Sequence, residues 1–151
     1  MSNAIKDISF ASIRKERFRI DEDDDRIIEL NTSDLGIITR LEESYPKLNE
    51  LDAKVKNVIT NTEDDVDLNV SSFGPLLKEI DEDMRSIVDY IFDSDVSAKC
   101  APFGNMFDLI NGQCRYEHVI STLLKLYDAK LESEAKKTKN RMNAHTSKYT
   151  K

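Results

Sequence analysis

The sequence predicts an α+β protein, mainly helical, with an N-terminal β-hairpin followed by a small helical domain of three to four helices. Three observations predict it. Apolar and charged residues alternate on both sides of an acidic run near the N-terminus. Three later stretches repeat apolar residues at three- and four-residue steps. The composition, 151 residues with 39% apolar, 34% charged, no Trp and four Gly, suits one domain with one real core. It fits neither a disordered polymer nor a membrane protein.

In the hairpin, Phe18 and Ile20 alternate with Arg17 and Arg19, and Ile28 and Leu30 alternate with Ile27 and Glu29. The acidic residues 21–25 between them favour a turn, because Asp side chains accept hydrogen bonds from their own nearby backbone. A segment around residues 5–10 is a candidate third strand. Residues 31–34 (Asn-Thr-Ser-Asp) form a helix-start signal. Behind it, Leu35, Ile38, Leu41, Tyr45, Leu48, Leu51 or Asp52, Val55, Val58 and Ile59 make an apolar stripe. Pro46 disfavours helical geometry at Tyr45, so two helices or one kinked helix are expected there. The polar, acidic residues 61–72 read as a linker.

The next helix is expected after Gly74-Pro75, with Pro in its first turn. Its stripe is Leu76, Leu77, Ile80, Met84, Ile87, Val88, Ile91 and Phe92, and it should stop near residues 96–100. Residues 101–114 read as a compact loop anchored on the domain by Phe103, Met106, Phe107, Leu109 and Ile110. The last helix starts near Arg115, with Tyr116, Val119, Ile120, Leu123, Leu126 or Tyr127, and Leu131 on its inner face. Ile38, Leu41, Ile80, Met84, Ile87, Ile91, Val119, Ile120 and Leu123 are expected among the most buried positions. The expected organisation is one compact domain over residues 1–131, with a hairpin region at 1–31 and a helical core at 32–131, and a basic tail over 132–151.

Charge divides along the same boundary. The net charge is −7. Residues 130–151 hold seven Lys/Arg against two Glu, a net of +5, which leaves −12 for the rest. An acidic body repels nucleic acid and anionic membrane, so neither is an expected partner. The basic end suits an acidic surface, its own or a partner's. Lys136, Lys137, Lys139, Arg141, Lys148 and Tyr149 are the candidate partner-binding residues.

Chemistry is sparse. No apolar run reaches the roughly 20 residues of a membrane helix, and the N-terminus lacks the pattern of a secretory signal. With two cysteines and no export signal, free thiols in a reducing cytoplasm are expected. Cys100, Cys114 and His118 are the strongest metal candidate, but zinc ligands usually pair about two to four residues apart. The cysteines are 14 apart, and a fourth ligand needs His145 to bend back. Residues 21–25 resemble a calcium loop, yet the sixth position is Arg26 where Gly is required. Two histidines, one in the tail, offer no catalytic constellation, and the four glycines are isolated, so no phosphate loop forms. No catalytic residue, cofactor or metal is expected.

Four segments carry a family resemblance: FRIDEDDDRIIELNTSD at 18–34, RLEESYPKLNEL at 40–51, VDYIFDSDVSAKCAPFGNMFDLINGQCRYEHVI at 88–120, and HTSKYTK at 145–151. Together they resemble small proteins from the tail-gene block of long, non-contractile-tailed phages and prophages of low-GC Gram-positive bacteria, identified as tail assembly chaperones. The resemblance spans nearly the whole chain. It implies a non-enzymatic protein of the bacterial host cytoplasm that binds tape-measure and tail-tube proteins and is absent from the finished tail. It leaves room for a homo-oligomer and for a longer frameshifted product. The alternative is a small structural tail or connector-completion protein retained in the virion, and a host-directed regulator ranks last because the body is acidic.

Overall fold

The computed structural model describes residues 3–9, 15–62 and 66–147, with side chains for 3–9, 15–60, 73–133, 136 and 137. Two strands lead the chain, β1 (Glu16–Arg19) and β2 (Ile27–Leu30), and four helices follow, α1 (Gly36–Thr62), α2 (Val66–Phe92), α3 (Ser97–Cys100) and α4 (Arg115–Ser147). Between α3 and α4 sits a two-residue hairpin, β3 (Leu109–Ile110) and β4 (Gln113–Cys114). The chain is α+β and mainly helical, as its patterning predicts.

The first hairpin is antiparallel with Phe18 opposite Ile28. Its alternation puts Ile28 and Leu30 into the core while Glu29 faces out. The acidic turn folds as the Asp content predicts: the Asp25 N–H donates to Asp23 Oδ1 at 3.0 Å. Asp21 and Glu22 hold left-handed backbone (φ 51° and 59°), which lets the turn follow the twist of the strands. Residues 3–9 form no strand, and Ile5 and Ile8 are exposed. The rest of the expected third strand lies outside the described residues.

The α1 start also matches its signal, with the Gly36 N–H donating to Asp34 Oδ1 at 2.9 Å. Arg40 then donates to Asp34 Oδ2 at 2.7 Å and to the Ile91 carbonyl at 2.9 Å, tying the start of α1 to the end of α2. The two helices therefore run antiparallel.

α1 is a single helix through Pro46, not two. Two expectations about the helices need correction. α2 begins at Val66, with Pro75 well inside it. The linker expected over 61–72 is therefore largely helical. A proline in a helix costs about 3 kcal/mol. The apolar faces that α1 and α2 bury against each other outweigh that. The α1 stripe is also rotated. Ile37, Ser44, Leu48, Leu51, Val55 and Val58 face in, whereas Ile38 is 51% exposed, Leu35, Tyr45 and Ile59 are exposed too, and Leu41 is only half-buried. Adjacent Ile37 and Ile38 leave the phase open, and burial in the core cluster selects Ile37.

α2 and α4 carry the rest of the core: Ile80, Met84, Ile87, Val88, Ile91 and Phe92 meet Tyr116, Val119, Ile120, Leu123 and Tyr127. The Phe92 and Tyr127 rings lie 5.9 Å apart at 45°. α2 stops at Phe92, where Asp93 turns left-handed (φ 48°), earlier than residues 96–100. α4 continues past Leu131 as helix to Ser147, where sequence alone leaves a frayed helix or a disordered end.

Candidate functional site

The segment from α3 to α4 is held by charged side chains from three elements. Asp89 on α2 caps α3: its Oδ1 accepts the N–H groups of Val96 (3.0 Å) and Ser97 (2.8 Å), and its Oδ2 accepts the Ser97 hydroxyl. Arg26 from the hairpin donates to the Lys99 carbonyl at 2.7 Å, and Lys99 donates back to the Asp25 carbonyl at 2.9 Å. Arg85 on α2 donates to the carbonyls of Ser97, Ala101 and Gly104 and to Asp81 Oδ2. Asp81 Oδ1 accepts the Met106 N–H at 2.7 Å. Asp108 accepts the Asn105 N–H, and Arg115 donates to the Phe103 carbonyl. A guanidinium has five donors in a fixed plane, so one Arg can saturate several loop carbonyls that would otherwise lose water without replacement.

Within this frame Ala101 and Met106 are fully buried and Phe107 packs on the core. The other expected anchors face out: Phe103 is 82% exposed, Leu109 73% and Ile110 44%. Leu109 and Ile110 sit on the β3–β4 hairpin, whose turn residues Asn111 (φ 53°) and Gly112 (φ 77°) have the left-handed backbone a two-residue turn needs. The Asn-Gly pair is a hairpin signal, although the segment reads as an undivided loop from its composition. The braced segment therefore displays three large apolar side chains, Phe103, Leu109 and Ile110, to the outside.

The basic residues lie elsewhere. Lys136 and Lys137 are exposed on α4, Lys139 and Arg141 fall on the same helix, and Lys148 and Tyr149 lie outside the described residues. Arg85, Asp81, Asp89 and Arg115 were not legible as a functional set. Only the four-residue spacing of Asp81 and Arg85 hints at a pair, and their loop partners are remote in sequence.

The three metal candidates part company. Cys100 and His118 line a small pocket of about 170 Å³ with Asp21, while Cys114 points its Sγ at Asp52 Oδ1, 3.6 Å away. Among the described residues no three His, Cys, Asp or Glu side chains are placed to share an ion. Burial pushes the Cys100 thiol up to about 11, and burial, helped by Asp52, does the same to Cys114. Both stay protonated near neutral pH and behave as small apolar residues. A further groove of about 310 Å³ between α1 and α4 is lined by Tyr45, Tyr116, Ile120 and Leu124 among others.

No protein-family model matches the chain, no curated protein matches it, and no solved structure matches it. Among the described residues no helix is long and apolar enough to cross a membrane.

Proposed function

We propose that this chain is a non-catalytic assembly factor of the bacterial host cytoplasm: a tail assembly chaperone of long-tailed phages that binds tape-measure and tail-tube proteins. The observation that carries its protein-binding character is the outward display of Phe103, Leu109 and Ile110 on a loop braced by Arg85, Asp81 and Arg115. An amphipathic helix, such as those of a long helical tape-measure protein, presents the complementary apolar stripe. The phage assignment rests on the resemblance of residues 18–34, 40–51, 88–120 and 145–151 to that family. The −12 body disfavours binding to DNA.

The test is co-expression with the tape-measure and tail-tube proteins of the same phage, followed by affinity capture. Phe103→Asp with Leu109→Asp should leave thermal stability unchanged and reduce capture at least about tenfold, the loss of a little over 1 kcal/mol of contact. Undiminished capture would remove this surface from the interface. A structural virion protein is the second reading, favoured by the two-stranded β1–β2 sheet, whose β1 is exposed and open to strand addition. Mass spectrometry of purified particles separates the two: the chaperone is absent, and the structural protein is present in stoichiometric amount.

A further inference from the structure

α1 and α2 leave a cleft of about 320 Å³ between them, lined by Glu43, Lys47, Asp83, Ser86, Ile87 and Tyr90. Its floor is apolar through Ile87, and its rim is polar and net acidic. Tyr90 is 51% exposed, and its hydroxyl donates to Glu43 Oε2 at 2.8 Å, which presents ring face and carboxylate side by side. Glu79 stands one helical turn before Asp83, and Glu82 flanks it. All three are exposed, and none makes an ion pair among the described residues. A half-exposed tyrosine ring beside carboxylates suits a lysine or arginine head group, through ring-face attraction and charge together.

The chain itself supplies such groups. Residues 130–151 carry +5 against −12 for the remainder. The helical part of this stretch, residues 130–147, cannot reach the cleft of its own molecule without a break in α4. That helix runs continuously from Arg115 to Ser147, a length of about 50 Å at the usual rise. Lys130 still touches Glu16 of β1 at 3.4 Å, so the basic stretch begins where the helix passes the hairpin and continues away along its own axis. The occupant therefore comes from a second molecule.

We infer that the α1–α2 cleft receives the basic C-terminal part of α4 from a second copy of this chain, so that the protein self-associates head to tail. The contact is heterologous, joining two different surfaces, and it closes into a ring or extends as a chain. It requires no phage protein, so its outcome is separate from that of the chaperone reading.

Sedimentation equilibrium on the purified full chain tests it. At about 50 mM salt the mass should exceed the 17.3 kDa monomer, and the association should weaken about tenfold or more by about 500 mM. Glu79→Lys with Asp83→Lys should abolish association, as should Lys136→Glu with Lys139→Glu. Far-UV circular dichroism checks that each remains folded. All four changes in one chain exchange the signs and should restore association, a result that a merely damaged surface would not produce. A monomeric wild-type chain at low salt, salt-insensitive association, or failure of the combined variant to recover would each overturn the inference.

Discussion

Asp81 and Arg85, one turn apart on α2 and 3.0 Å from each other, hold opposite parts of one loop. Asp81 takes the Met106 N–H, and Arg85 takes the carbonyls of Ser97, Ala101 and Gly104. The pair is mostly shielded, with side chains 15% and 21% exposed, so its hydrogen bonds are not simply exchangeable with water.

Removing Arg85 leaves those carbonyls and the Asp81 carboxylate short of partners. Arg85→Ala is expected to cost about 2–3 kcal/mol in urea unfolding. Arg85→Lys should recover only part of it, because an ammonium cannot span three carbonyls in one plane. A loss under about 0.5 kcal/mol for the Ala variant would show that the bridge does not brace the loop.

The core and the rotated α1 face are separable by substitution. Ile91→Ala and Met84→Ala, at fully buried positions, are expected to cost about 2–5 kcal/mol each. Ile38→Ala, on the exposed flank, should stay within about 0.5 kcal/mol. Equal losses at Ile38 and Ile91 would return Ile38 to the core.

The thiols and Asp34 predict opposite pH edges. With the Cys100 and Cys114 thiols pushed from 9.0 to about 11, thiolate near neutral pH falls about a hundredfold, and a disulfide reagent should label the native chain that much more slowly than the urea-unfolded one. The protonated form is favoured in the folded state, so this stability is full below pH 9 and is lost as pH rises towards about 11. The Arg40 guanidinium holds the Asp34 carboxyl below its ordinary 3.8. Its stabilisation is therefore present above that value and lost as pH falls through the lower folded one. The difference between wild type and Asp34→Asn should shrink in acid, and a constant difference would deny Asp34 that role.

The basic end should matter to binding more than to folding. The last fully buried α4 residue described is Tyr127, and Leu131 is half-buried. A chain ending at Ser133 is expected to melt within about 2 °C of full length, the shift that a few tenths of a kcal/mol would give. Capture of co-expressed tape-measure or tail-tube protein should fall, and full-length capture should weaken with salt. Unfolding of the shortened chain would make residues 134–151 part of the fold. Unchanged capture would show that they do not engage those proteins.

Local signals determined the hairpin, the helix start at Asp34, the inner faces of α2 and α4, and the acid–base division of the chain. Each depends on spacing or charge within a few residues, and alternation or a three-to-four repeat needs no knowledge of what packs against it. Asn111-Gly112 belongs with these, since left-handed backbone at a two-residue turn is a local demand. Tertiary structure alone decided the rest. Ile37 and Ile38 are equivalent by type, and only the assembled core buries one and exposes the other. Pro46 and Pro75 argue locally for breaks, and helix-on-helix burial overrides them. Phe103, Leu109 and Met106 are all apolar residues of one short loop, yet only Met106 turns inward, because its N–H is held by Asp81, 25 residues earlier in the chain. That choice is set by hydrogen bonds between residues distant in sequence, which no local pattern encodes.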